Sequence, residues 1–333
     1  MPQPRHTQVD PDATPYYHCI SRCVRRAFLC GEDRVTGRNF DHRKSWVVNK
    51  LAALTEIFAV DLCAYSVLSS HFHLVVRLDP DSARGWTDEE VLDRYGRLFR
   101  TPAAEARRLP ADKKKERVAT FRTRLQSLSW FMRCLNESIA RRANREDKCT
   151  GRFWEGRFRC QPLLDEGALL TCMSYVDLNP VRAGLAESLE GSEFTSIQQR
   201  LWEVARQMHG ERQQIVPEPK GNHLPELLPF AMAGKDEDFA VLPIDFAGYA
   251  ELVGWAGSVV REGKRGALPA GSEKVLNQLG LEPEAWLETV QTFHRRFFAM
   301  VGHVHRIAMF CERTGRCRAK GSVWATRLYK RAA

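Results

Sequence analysis

Residues 16–24, YYHCISRCV, alternate loosely between apolar and polar positions and predict a strand. Residues 42–58 read differently: Trp46, Leu51, Leu54 and Phe58 recur at helical spacing and predict an amphipathic helix. The run VDLCAYSVLSSHFHLVVRLD (60–79) predicts two strands that break near Ser69–Ser70, which forms a hairpin and starts the second strand at His71. Residues 80–120 are polar and charge-rich, and read as an insertion of short helices and loops. From 120 to 144 a single helix is expected, with Leu125, Leu128, Phe131, Met132, Leu135 and Ile139 on one side. The segment 145–164 is basic and reads as irregular. Asp165 is placed to cap a further helix, EGALLTCMSYVDL, which must end near Asn179 because Pro180 follows. Helical stretches are expected again at 247–262, 271–280, 283–312 and 321–331.

Composition narrows the class. The chain has 333 residues, 44% hydrophobic and 27% charged, an ordinary globular balance with room for about two domains. No apolar run approaches the ~20 residues of a membrane span. The N-terminal stretch MPQPRHTQVDPDATP lacks the apolar core of a signal peptide, so a flexible leader over 1–13, a cytoplasmic location and no membrane partner are expected. Ten scattered cysteines form no CxxC pair and read as free thiols. The net charge of +9 is unevenly spread. Residues 295–331 hold ten Lys/Arg against Glu312 alone, which points either to a polyanion such as nucleic acid or to a solvated tail.

His71 and His73 stand out within that apolar hairpin. On a strand, i and i+2 share a face, so the two imidazoles lie side by side, about 7 Å apart at the backbone. The spacing suits two ligands of one metal ion, and equally two satisfied structural histidines. The helix near 165–179 adds Tyr175 and Asn179 at i and i+4, hence on one face. Asn179 could add a carbonyl oxygen to the two nitrogens, and Tyr175 would stand next to the metal as a nucleophile. Before that helix, Arg141, Arg142, Arg152, Arg157 and Arg159 crowd a stretch that also holds Trp154. Cations interleaved with aromatic faces suit single-stranded or hairpin nucleic acid, though a Trp in such a stretch can also be a core plug. A second HxH, His303 and His305, falls in a helical pattern. There i and i+2 diverge, so the pair reads as structural or DNA-facing rather than as a metal site.

Strand-borne HFH, then TGRFWEGRF, then SYVDLNPVRAGL, resembles the single-tyrosine HUH transposases, and within them the REP-associated tyrosine transposases. The resemblance covers about residues 14–200. It implies an α+β fold, a ferredoxin-like antiparallel sheet with helices, followed here by a mostly helical C-terminal region. The resemblance implies a catalytic domain over 14–205 interrupted at 80–120; the residues themselves, beyond its reach, suggest a linker over 206–224 and a basic helical domain over 225–333. It further implies cleavage and rejoining of single-stranded, hairpin-forming DNA through a 5′-phosphotyrosine on Tyr175. It implies as well a divalent ion, Mg²⁺ or Mn²⁺, held by His71, His73 and Asn179. Related enzymes often pair, so a homodimer is expected. Leu68-Ser69-Ser70 departs from the family's usual Met/Leu-Pro-Asn/Glu before the histidines. Two alternatives remain open at this stage: a non-catalytic DNA-binding regulator derived from a transposase, and an RNA-binding protein on the same kind of sheet.

Overall fold

The computed structural model describes residues 4–24, 29–32, 37–209, 216–231, 240–262, 267–316 and 321–330. It is a mixed α+β fold around one four-stranded antiparallel sheet. The strands are β1 (Tyr16–Arg22), β2 (Val60–Val67), β3 (His71–Leu78) and β4 (Arg159–Leu163), in the order β2-β3-β1-β4. The β2–β3 hairpin turns tightly, with Leu68 N–H donating to the His71 carbonyl at 2.9 Å. The carbonyls of Ser69 and Ser70 accept from Cys30 and Cys23 N–H at 2.8 and 2.9 Å. The turn is therefore held from outside by the chain that follows β1, without a proline in its own sequence.

On one face of the sheet lie α1 (His42–Thr55) and α6 (Leu128–Glu146). Val47, Leu51, Phe131 and Leu135 from these helices share a core with Tyr17, Leu62, Phe72, Leu74 and Val76 of the strands. The polar insertion forms α2 (Pro80–Gly85), α3 (Asp88–Leu98), α4 (Arg100–Arg107) and α5 (Ala111–Leu125), whose Val91, Leu92 and Phe121 extend that same core.

The other face is covered by α7 (Glu166–Asp177). Asp165 caps it, accepting from Ala168 N–H at 2.8 Å. Every residue of α7 from Gly167 to Asp177 is buried. A helix buried all round must be sandwiched, and the outer slice comes from the C-terminal region: α10 (Phe246–Glu262), α11 (Ala270–Gln278), α12 (Pro283–Arg296), α13 (Val304–Thr314) and α14 (Ser322–Leu328). Residues 163–178 and 242–328 thus share one hydrophobic core. Between them lie the short α8 (Asn179–Arg182) and α9 (Ser196–His209), the latter reaching into the stretch read as a linker.

Four sequence expectations differ from the structure. The single helix over 120–144 is two, because the chain turns at Gln126–Ser127 and the Leu125 carbonyl accepts from Ala59 N–H at 3.0 Å. The irregular stretch 145–164 ends in β4, a five-residue strand containing Pro162; it lies at the sheet edge, where a missing N–H is tolerated. The helix over 283–312 is α12 and α13, separated where Val301 bridges β4: Val301 N–H donates to the Pro162 carbonyl at 3.0 Å and Leu164 N–H to the Val301 carbonyl at 2.8 Å. Residues 4–13, read as a flexible leader, are tied down by Asp10 N–H on the Tyr17 hydroxyl (3.0 Å) and by the Arg313 ion pair with Asp12 (2.9 Å).

Candidate active site

Antiparallel register builds the site. On β1, His18 and Ile20 share the α7-side face; on β3, His71 and His73 do. Ile20 stands opposite His73, Arg22 opposite His71, and His18 opposite Gln161 of β4. The His71 and His73 rings lie 4.9 Å apart. The His18 and His73 rings are nearly parallel, with centroids 5.1 Å apart and His18 Nε2 2.9 Å from His73 Nδ1.

Helix α7 lowers Tyr175 onto these rings, edge-on to His73 at 5.5 Å and to His18 at 6.1 Å. Asn179 follows in the first residue of α8 and lines the same cleft. Four residues about a hundred positions apart in sequence, His71, His73, Tyr175 and Asn179, therefore converge on one cavity of about 350 Å³. Arg157 and Arg159 open onto it as well. So do Arg22, Arg182 and His294, which the sequence reading did not single out.

Electrostatics favour an anion in this cleft. Arg22, Arg157, Arg159 and Arg182 line it against a single carboxylate, Glu155, which lies 3.5 Å from Arg22. Tyr175 is 5% exposed. Burial holds its phenol above the ordinary tyrosine range, and the positive charge of Arg182 works against that shift. The guanidinium of Arg182 sits over the Tyr175 ring at 4.7 Å, and its Nη2 donates to the Gln291 carbonyl at 2.8 Å. On the other side the ring stacks on Phe293 of α12 at 4.8 Å.

The metal expectation can be tested against the donors. His71 Nδ1 lies 3.0 Å from Ser70 Oγ, leaving Nε2 for another partner. His73 Nδ1 lies 2.9 Å from His18 Nε2, and its own Nε2 is buried with no partner. Asn179 Nδ2 is also buried without a partner, and a half-turn of the amide presents its carbonyl oxygen instead. Burial lowers His71 to about 4 and His73 well below its usual value, so both are neutral and able to donate lone pairs near pH 7. These donors fit a divalent ion. Among the described residues, no group of three or more His, Cys, Asp and Glu is arranged to hold a metal, so the fit depends on the Asn179 oxygen.

Other expected contacts fall elsewhere. Trp154, expected on a base-stacking surface, is 8% exposed; it packs edge-on to Phe72 at 5.6 Å and donates its indole N–H to the Asn136 carbonyl at 2.9 Å. Arg152 donates Nε–H to the Trp154 carbonyl at 2.9 Å and so braces its own loop. Arg141 pairs with Glu137 on α6, and Arg142 stacks on Trp46 at 4.0 Å; neither lines the cleft. In the basic C-terminal stretch, Arg296 is buried against Trp324 at 4.0 Å and Lys330 donates to Asn277 at 2.5 Å. Arg318, Lys320, Arg331 and Cys317 lie outside the described residues. None of the other nine cysteines forms a disulfide among the described residues. His303 is not inside a helix but caps α13, its Nδ1 accepting from His305 N–H at 3.3 Å. No helix among the described residues is long and apolar enough to cross a membrane.

His18 had a legible signal, its strand phase with Ile20. Arg182 had another, seven residues after Tyr175 and three after Asn179 on one helical face. Gln161 had none while β4 went unread, and Phe293 and His294 reach the site only through tertiary packing.

No family model and no curated protein matches this chain. A solved structure of a REP-associated tyrosine transposase bound to a REP hairpin aligns with 66% of this chain and 99% of its own, at 11% identity and a TM-score of 0.38.

Proposed function

We propose that the protein is a metal-dependent tyrosine transesterase that cuts and rejoins single-stranded, hairpin-forming DNA, a transposase of the single-tyrosine HUH type. The observation that carries this reading is the meeting of His71, His73, Tyr175 and Asn179 in one arginine-lined cleft, with two of their polar atoms buried and unpartnered. The strand order β2-β3-β1-β4, with α1 and α6 as the crossovers, supports the ferredoxin-like description.

Mg²⁺ or Mn²⁺ held by His71, His73 and Asn179 would neutralise a non-bridging phosphate oxygen and orient the phosphorus, with two imidazoles favouring Mn²⁺. The chain's own residues do the rest. Arg22, Arg157 and Arg159 draw the phosphodiester into the cleft. Tyr175 Oη attacks phosphorus: the Oη–P bond forms as the bond from phosphorus to the 3′ oxygen breaks. The phenol gives up one proton and the departing 3′ oxygen takes one up. Arg182, over the ring, favours the charge that builds on Oη. One phosphodiester replaces another, so a 3′-OH can reseal the strand without an external energy source.

The test uses labelled single-stranded hairpin DNA and Mn²⁺ with the wild type and Tyr175→Phe. A covalent protein–DNA adduct on the wild type alone is expected. Absence of adduct across a panel of hairpins, with Mn²⁺ bound, would overturn the reading and leave the non-catalytic regulator in its place.

A further inference from the structure

A chain of polar contacts runs from the C-terminal region into the candidate metal site. Gln161 Nε2 donates to the Phe297 carbonyl at 2.6 Å. A backbone carbonyl only accepts, so the amide orientation of Gln161 is fixed and its Oε1 must face the other way. There it lies 2.7 Å from His18 Nδ1. An amide oxygen also only accepts, so His18 carries its proton on Nδ1. His18 Nε2, 2.9 Å from His73 Nδ1, is then the acceptor, and the proton between the rings belongs to His73 Nδ1. That leaves the lone pair of His73 on Nε2, the atom buried without a partner. Among the described residues, neither His18 nor His73 is hydrogen-bonded to a carboxylate, and His18, Gln161 and His73 are at most 5% exposed, so water does not compete for these contacts.

We propose that the Phe297 carbonyl, Gln161 and His18 form a relay that sets the tautomer and aim of His73, so that its bare Nε2 is a prepared metal ligand and the C-terminal region is a working part of the site. A metal-bound histidine commonly donates its other ring N–H to a carboxylate or carbonyl that fixes its orientation. Here a second imidazole takes that place and a neutral amide backs it, which orients His73 without adding negative charge. His18 and Gln161 are positioning residues in this account: they act on substrate and metal only through His73.

The inference rests on reading His71, His73 and Asn179 as metal ligands, and its test separates the two ideas. Long-range ¹H–¹⁵N correlations on full-length, histidine-labelled, metal-free protein report which ring nitrogen of His73 holds the proton, with His73→Gln assigning the signals. Proton on Nδ1 is expected. Mn²⁺ titration followed by electron paramagnetic resonance then compares wild type, Gln161→Leu and Gln161→Glu. Gln161→Leu should bind Mn²⁺ about 10–100-fold more weakly and show His73 redistributed between tautomers. Gln161→Glu restores the acceptor and should restore both. A merely structural role for Gln161 would move neither the tautomer nor the Glu rescue. Wild-type His73 protonated on Nε2, or Gln161→Leu binding Mn²⁺ as wild type does, overturns the relay. Wild type that holds the Nδ1 tautomer but takes up no Mn²⁺ overturns the metal reading and leaves the relay supported.

Discussion

Tyr17, Phe72, Leu74 and Val76 point from the sheet toward α1 and α6, where they meet Val47, Leu51, Phe131 and Leu135. Their neighbours one residue away, His18, His71 and His73, point toward α7 together with Gln161, which stands opposite His18 on β4, and there they meet Tyr175, Phe293 and each other. A shift of one residue along a strand thus changes the surroundings from hydrocarbon to hydrogen-bonding heteroatoms. The first face gains stability from area removed from water. On the second, every buried polar group costs desolvation unless it is partnered, and the unpartnered groups there include His73 Nε2, Asn179 Nδ2 and Arg182 Nη1 at the cleft as well as Ser66 Oγ and Arg200 Nε away from it. The two faces differ in kind: the first is held mainly by hydrocarbon, whereas the second combines a hydrophobic core around Val75, α7 and the C-terminal helices with the polar residues of the candidate site.

That division predicts the largest effects. Phe131, fully buried and edge-on to Phe58 at 5.5 Å, anchors the first face. Phe131→Ala should cost about 3–5 kcal/mol of unfolding free energy, measured by urea denaturation, while the folded fraction keeps its adduct-forming rate. Asp177 plays the comparable part on the second face. It accepts from Ser196 Oγ (2.5 Å), Ile197 N–H (3.1 Å) and the Tyr249 hydroxyl (2.5 Å), and so ties α7 to α9 and α10. Asp177→Ala leaves three donors without their acceptor and should cost about 3 kcal/mol, and it should also slow adduct formation, because α7 carries Tyr175. If the Phe131 variant lost the chemistry and the Asp177 variant kept it, the contrast between the faces would be wrong.

The first face is also the one that sequence reveals. Helical spacing in 42–58 and alternation in 60–79 mark α1, β2 and β3, because each has one apolar side and one polar side. The second face resists that reading. Its helix α7 is buried all round, so periodicity says little about which side meets the sheet. Its edge strand β4 is five residues long with a proline and a glutamine, and the pattern carries no strand signal. The candidate site was legible in part, because HxH on a strand and Tyr-x₃-Asn on a helix each imply a shared face, and the structure brings His71, His73, Tyr175 and Asn179 to one cleft. His18 and Gln161 join them only through the antiparallel register of β1 with β3 and β4, and Phe293 only through a C-terminal layer that no local pattern connects to the sheet. Trp154 shows the limit from the other side: arginines around it suggest a DNA surface, yet its ring plugs the first face.

The second face should also be the pH-sensitive one. Burial lowers His18 and His71 to about 4 from an ordinary 6.5, and lowers His73 too. The unfolded chain takes up these protons near 6.5, whereas the fold refuses those of His18 and His71 until about 4 and holds His73 neutral through burial as well. Between those values the unfolded state binds more protons, so stability falls as pH drops from 6.5 to 4. The fully buried His18 alone contributes a slope of about 1.4 kcal/mol per pH unit. Asp177 acts in the opposite sense: burial raises it from 3.8 to about 6, so it favours the fold below that window and penalises it as pH rises from 3.8 to about 6. Metal-free denaturation at stepped pH should therefore show a net loss on acidification, and Asp177→Asn should steepen it. A wild-type curve flat from 6.5 to 4 would mean that the imidazoles are not held neutral.

The smallest effect concerns the boundary between the faces and the surface. Trp154→Phe keeps the ring against Phe72 and removes one N–H bond to the Asn136 carbonyl, which should cost about 1 kcal/mol. Because the indole faces inward, the affinity for single-stranded DNA and its salt dependence should not change. Arg157→Ala gives the opposite result. It removes a cation at the cleft, weakens DNA binding across sequences and lowers the salt slope by about 1. Fluorescence anisotropy at stepped salt concentrations with both variants reads the difference directly. Should Trp154→Phe weaken DNA binding as Arg157→Ala does, the tryptophan reaches the nucleic acid after all, and the first face takes part in binding as well as in holding the sheet.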